Sequence, residues 1–356
     1  MIDESANLEN VGELSLLREV LLPCVTDKSS SLGDDCARVS FGNKNALWSM
    51  DPCPTPVAQL LDVSSPEVLG WYTALINLSD IAACGGTPLG LLVSLELPGE
   101  TSVHFVKSFQ KGLMAALSLY ETPLLGGNVK SAPRFSATGT VIGEEGPRAI
   151  SRKIDADECD AFLIGACGVF WASVVGHHMG WGDLSAEDRR FLRNALLAPR
   201  PQIAAGQLLA SLPFQVACMD CSDGPANALY QLATTNSLDL VIPDVPAWRI
   251  PKSASKLLVH HNTSIENACF HFGDWQLACL VPLQDADAFK AAFTGIETTW
   301  MGRAKRGEGS VKTSEGRTLR RESLNENFRK GYNSIGTIEA LVDRYLLQPV
   351  FAPAGI

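Results

Sequence analysis

Four short motifs put aspartates at the ends of apolar runs: Gly33-Asp34-Asp35, Ser49-Met50-Asp51, Asn77-Leu78-Ser79-Asp80 and Asp220-Cys221-Ser222-Asp223-Gly224. A strand end or a helix turn projects such side chains outward. A chain that aims all four motifs into one cleft must therefore bring elements of both its halves together. Clustered carboxylates suit Mg²⁺, which takes hard oxygen ligands, keeps several waters and is completed by substrate phosphates. Phosphoryl transfer asks a protein for positioning and neutralisation of charge more than for covalent chemistry. The plainer account of any one motif is a helix cap or a turn, where Asp-Ser and Asp-Gly are ordinary. On spacing alone the two accounts stay open.

The 356 residues are enough for a sizeable core and two domains. A hydrophobic fraction of 46% and a charged fraction of 19% are those of a globular protein. No apolar run reaches the length of a membrane span. The start, MIDESANLEN, is acidic and polar, unlike a signal peptide. A cytoplasmic protein without a membrane partner is expected. The net charge of −10 argues against a nucleic-acid partner, which needs clustered Lys and Arg. The 10 cysteines read as reduced thiols. The isolated Cys218/Cys221 pair reads as buried small hydrophobes rather than a zinc or redox site. The pairs His177/His178 and His260/His261 fit no metal-ligand pattern.

Along the chain, a short helix is expected over 11–22, then a polar linker, then strands at 37–41 and 46–50. Ser65 and Pro66 open a long helix ending at Gly85-Gly86. A strand at 90–97, a helix over 101–120 and strands at 123–125 and 135–142 complete an α+β unit, residues 1–150. A second unit, 151–356, starts with a strand at 161–164 and the turn Gly165-Ala166-Cys167-Gly168. Helices follow at 185–197, 201–212 and 224–233, with strands at 214–219, 238–242, 275–281 and 297–302. The polar stretch 305–327 is expected to be a mobile or irregular loop.

At these residues the chain resembles thiamine-monophosphate kinases of the aminoimidazole ribonucleotide (AIR) synthetase-like superfamily. The resemblance rests on Gly12-Glu13-Leu14-Ser15-Leu16-Leu17, Gly33-Asp34-Asp35-Cys36-Ala37, Ser49-Met50-Asp51 and the segment Asn77 to Gly85. It continues through Gly126-Gly127-Asn128, Ser151-Arg152, Asp220 to Gly224, Gly273-Asp274-Trp275-Gln276-Leu277 and Lys330-Gly331-Tyr332. It implies a two-domain α+β fold: an N-terminal mixed sheet or half-barrel with helices, and a C-terminal α/β sandwich. It also implies a homodimer joined through the N-terminal domains, with ATP and Mg²⁺ as cofactors and a small-molecule acceptor. On that pattern Asp34, Asp35, Asp51, Asp80, Asp220 and Asp223 are metal ligands. Ser49, Gly126, Gly127, Asn128 and Ser222 meet the nucleotide, and Asp220, Asp223 and Arg152 serve catalysis.

The departures gather at the acceptor end. Asn128 replaces the family's aspartate, Pro52-Cys53-Pro54-Thr55-Pro56-Val57 replaces a softer segment, and Gly273 stands where an acid is usual. Three functions are weighed: a small-molecule kinase with a retained or altered acceptor, a synthetase that activates an amide or acid oxygen as a phosphate, and a catalytically weakened nucleotide-binding paralogue.

Overall fold

Ser65 accepts a hydrogen bond from the Val68 amide and so caps a helix that begins at Pro66 and runs to Ala83. A serine cap is worth about 1 kcal/mol to such a helix. In the computed structural model, which describes residues 7–24, 33–328 and 331–354, this helix is the third in chain order, α3. Before it come the short turns α1 (Leu8–Val11) and α2 (Glu13–Ser15), continued by helical turns to Cys24. The polar stretch 27–32 and Arg329 and Lys330 of the Lys-Gly-Tyr motif lie outside the described residues.

Helix α3 and helix α4 (Val103–Ser118) cover one face of a five-stranded sheet. Its strands are β1 (Ala37–Phe41), β2 (Lys44–Pro52), β3 (Thr87–Leu97), β4 (Leu124–Ser131) and β5 (Ser136–Glu144), in the order β1-β2-β5-β3-β4. All neighbours are antiparallel except β3 and β4. The two helices touch almost backbone to backbone: a Cβ on Gly112 would lie 1.9 Å from the Glu67 carbonyl oxygen. Strand β2 alternates as a one-sided sheet demands. Leu47 is buried beneath α3, whereas Trp48 and Met50 face outward.

The second sheet has eight strands in the order β13-β12-β11-β8-β10-β6-β9-β7. These are β6 (Glu158–Ile164), β7 (Ala217–Asp220), β8 (Leu238–Ile242), β9 (Leu277–Pro282), β10 (Thr298–Arg306), β11 (Val311–Thr313), β12 (Thr318–Leu319) and β13 (Phe351–Ala352). Around them lie α5 (Val169–Met179), α6 (Ala186–Leu197), α7 (Ile203–Ser211), α8 (Pro225–Asn236), α9 (Lys252–His260) and α10 (Ile265–Phe270). Among the described residues no helix is long and apolar enough to cross a membrane.

Three local expectations change. Helix α5 has no polar face: residues 169–176 are all buried, so no amphipathic period announced it. Strand β4 extends beyond 125 through Gly126, Gly127 and Asn128, residues of low strand propensity held there by pairing with β3. The stretch 305–327 is not an irregular loop. Strand β10 continues into it, β11 and β12 add to the sheet, and Val311, Thr313, Leu324, Asn325 and Glu326 are buried. Its polar surface disguised a short strand pair that buries alternate residues. The cysteines are free thiols, and burial pushes Cys218 and Cys221 well above the ordinary thiol range.

Candidate active site

The segment Asn77-Leu78-Ser79-Asp80, in the last turns of α3, ties β2 of the first sheet to β7 of the second. Leu78 points into the core and is fully buried. Asn77 accepts from the Asp51 amide at 3.2 Å and so fixes the end of β2. Ser79 donates to Asp220 Oδ2 at 2.8 Å, reaching β7 in the second sheet. Ser49 of β2 donates to Asp80 Oδ2. Asn77 and Asp80 thus meet the end of β2 and Ser79 meets the end of β7, which is why aspartates far apart in sequence share one cleft.

Asp220 closes β7, and the following Ser222 donates to its Oδ1 at 3.0 Å. Gly224 has φ +95°, and a Cβ there would lie 2.5 Å from the Phe272 nitrogen. Only glycine suits that turn, and Pro225 then starts α8. Carboxylate oxygens of Asp35, Asp80 and Asp220 lie within 4.8 Å of one another, the only such group among the described residues. Arg152 lays its guanidinium on Asp35, with Nη2 to Oδ1 at 2.6 Å and Nε to Oδ2 at 3.3 Å, and Nη1 reaches Gln231 Oε1 at 3.2 Å.

Burial pushes the Asp220 and Asp223 carboxyls up to about 7, and neighbouring acids add to this. Burial also raises Asp80, helped by Asp51 and Asp220, and raises Asp51. Burial works against the Arg152 charge, but Asp35 outweighs it and the guanidinium is held fully protonated. Three facing carboxylates, with Arg152 the one cation that the described contacts place on them, carry an excess of negative charge that a hard divalent cation would neutralise. Their all-oxygen chemistry fits Mg²⁺ rather than a soft metal.

Two adjoining cavities meet at this cluster. The smaller, about 200 Å³, holds Asp34, Asp35, Ser49, Arg152, Asp220 and Gln231. The larger, about 310 Å³, is walled by residues 52–57 on one side and by Phe170, Phe272, Trp275 and Tyr332 on another. Glu13, Asp51, Asp80, Ser222 and Asp223 line both.

Asp34 lines the smaller cavity, but its carboxylate is taken by Arg38 at 2.9 Å and by the Arg152 amide at 2.9 Å. Gly126, Gly127 and Asn128 do not join the cleft of their own chain. They lie on the exposed edge strand β4, with Asn128 opposite Ser94. Glu13, Asn325, Phe272 and Tyr332 were missed as site residues, since each depends on a contact distant in sequence. The signal available for Glu13 and Tyr332 was their place in the opening Gly-Glu and closing Lys-Gly-Tyr motifs.

Residues 33–144 match the family described as AIR synthase related protein, N-terminal domain. The chain is 28% identical over 283 residues to the thiamine-monophosphate kinase of Synechococcus elongatus, covering 78% of this chain and 84% of that one. It is 29% identical over 264 residues to the thiamine-monophosphate kinase of Bacillus subtilis, covering 73% and 79%. Among solved structures, AaThiL complexed with AMPPCP and TMP superposes with a TM-score of 0.74 at 24% identity, over 87% of this chain and 96% of that one. Hydrogenase maturation protein HypE in complex with ATP superposes at 0.58 and 14% identity, over 87% and 93%. At those identities the structural likeness speaks to the fold.

Proposed function

We propose that this chain, similar over most of its length to thiamine-monophosphate kinases, is an ATP-dependent kinase of the AIR synthase-like superfamily whose two adjoining cavities take nucleotide and acceptor. The kinase relatives favour this over the synthetase and the weakened-paralogue readings. The observation that carries it is the shared lining: Glu13, Asp51, Asp80, Ser222 and Asp223 face both cavities, so a phosphoryl group passing from one to the other crosses between them.

On this reading Asp35, Asp80 and Asp220 hold Mg²⁺, with Asp51 and Asp223 completing its surroundings. A cation held there would supply neutralisation of charge on the transferring phosphoryl group. The protein's own part is placement. Arg152, locked by Asp35, presents a fixed positive edge to phosphate oxygens. Ser49 and Ser222 aim Asp80 and Asp220. The stiff wall 52–57, with proline at every second position, and the opposing aromatic rings shape the acceptor site. Thiamine monophosphate, the acceptor named by the relatives, is the first candidate, and the rewritten wall is where a changed preference would arise.

We divide the chain into domains 1–150 and 151–356, between the strands at 37–144 and those at 158–352. The outer face of the first sheet is apolar and is left uncovered by the described residues, with Trp48, Met50 and Leu92 exposed. That face suits a homodimer, which would also place Gly126, Gly127 and Asn128 beside a partner's nucleotide. Free thiols throughout fit a cytoplasmic protein. The test is ADP release and calorimetric ATP binding with Mg²⁺, with and without thiamine monophosphate. Turnover that requires the acceptor supports the kinase. Failure to bind ATP in Mg²⁺ refutes it.

A further inference from the structure

We infer that Asn325 is a positioning residue for phosphoryl transfer: it fixes the Asp223 carboxylate where the two cavities meet and ties it to the wall of the acceptor cavity. The inference rests on the kinase reading, and nothing in the sequence motifs assigns Asn325 a role.

Asn325 is buried, and both the nitrogen and the oxygen of its side-chain amide are hydrogen-bonded. Its Nδ2 donates to Asp223 Oδ1 at 2.7 Å. Its Oδ1 accepts from the Tyr332 backbone N–H at 3.1 Å and from the Tyr345 hydroxyl at 3.2 Å. Its main-chain carbonyl accepts from Asn227 Nδ2 at 2.8 Å. A backbone N–H only donates, so the amide atom facing Tyr332 has to be the oxygen. The amide nitrogen is thereby forced toward Asp223, and the carboxylate cannot rotate without losing its donor. Tyr332 also lines the larger cavity, so one side chain links acceptor wall and junction carboxylate. Two residues on, Asn327 repeats the arrangement: its amide and Nδ2 donate to Glu13 Oε2 at 3.2 and 2.9 Å. Residues 325–327 therefore strap two carboxylates that both line the two cavities.

The test is Asn325→Asp, nearly isosteric. Its carboxylate still accepts from Tyr332 and Tyr345 but replaces the donor to Asp223 with a second acceptor. Loss of a hydrogen bond to a charged group predicts a kcat roughly 10- to 100-fold lower. The KM for ATP is expected to stay within about threefold, since only transfer geometry is disturbed. Two carboxylates now face each other, and added ligand charge tightens divalent binding. Mn²⁺ titrated calorimetrically, without nucleotide, should therefore bind at least about threefold tighter. Slower turnover with tighter Mn²⁺ is a split that a merely structural residue does not produce. The inference is overturned by a kcat within twofold of wild type, by unchanged or weaker Mn²⁺ binding, or by a collapsed melting temperature. Tyr345→Phe, which leaves the Asn325–Asp223 bond in place, should keep kcat within about threefold; an equal loss there also overturns it. If the wild-type chain turns over no ATP, the kinase reading fails, and the Mn²⁺ comparison still decides the role of Asn325.

Discussion

Ser79 and Asp220 stand 141 positions apart and meet in a 2.8 Å hydrogen bond, one on the main helix of the first sheet, the other at a strand end of the second. Both are buried. Ser79→Ala leaves Asp220 with one fewer donor in a crowd of like charges. We expect a stability loss of about 1 kcal/mol, read as a lower urea midpoint, and a fall in kcat of about tenfold as Asp220 loses its orientation. A variant with wild-type turnover would show that Ser222 alone aims Asp220.

The raised Asp220 and Asp223 carboxyls set a pH dependence. Without metal, both hold protons up to about pH 7. Their folded values exceed those of the unfolded chain, so the metal-free protein is increasingly penalised as pH rises from about 4 through 7. A cation has to displace those protons. Mg²⁺ binding should therefore strengthen with pH up to about 8 and release protons. Thermal midpoints with and without Mg²⁺ should differ more at pH 8 than at pH 5.5, and an equal difference at both would contradict the assignment of the cation to these aspartates.

Much of this arrangement was legible in the sequence, for a physical reason. Asn77, Ser79 and Asp80 occupy a helix terminus whose period and cap are local signals, and the strand ends carrying Ser49, Asp51 and Asp220 follow apolar runs that define themselves. Their convergence could be named before it could be measured. The contacts of Asn325 and Glu13 could not, because both ends of the chain must fold back before either residue meets the cleft. Helix α5 lacked a polar face to mark its period. The acceptor wall was legible as stiff, through its prolines, but not as one side of a cavity faced by Phe170, Phe272 and Trp275.

His271 predicts an acid limit on stability unrelated to the cleft. It is buried between Trp171 and Tyr345, its Nε2 has no hydrogen-bond partner among the described residues, and burial lowers it to about 3. The unfolded imidazole takes a proton near pH 6.5, so the folded state loses stability as pH falls from about 6.5 to 3. The loss approaches about 5 kcal/mol at the acid end. His271→Phe keeps a ring in the site and should flatten that part of the stability-versus-pH curve. Chemical denaturation across pH 4 to 7 measures it, and parallel curves for the two proteins would refute the assignment.

The outer face of the first sheet predicts the assembly. Register places Met50 of β2 opposite Thr140 of β5, and Thr140 opposite Leu92 of β3, so the three form one row across the sheet. Met50 is 66% exposed and Leu92 45%, an apolar area that a lone globular chain seldom leaves to water. A second copy covering it would remove both from solvent and set the β4 residues Gly126, Gly127 and Asn128 at the contact. Leu92→Arg puts a charge on that row, beside β4, while leaving the buried face of β3 untouched. Sedimentation should show the wild-type chain as a dimer and the variant as a folded monomer with an unchanged circular dichroism spectrum. Its ATP binding should weaken if the partner's edge strand completes the nucleotide site. A monomeric wild-type chain would leave the face without its proposed cover and remove Asn128 from the nucleotide site.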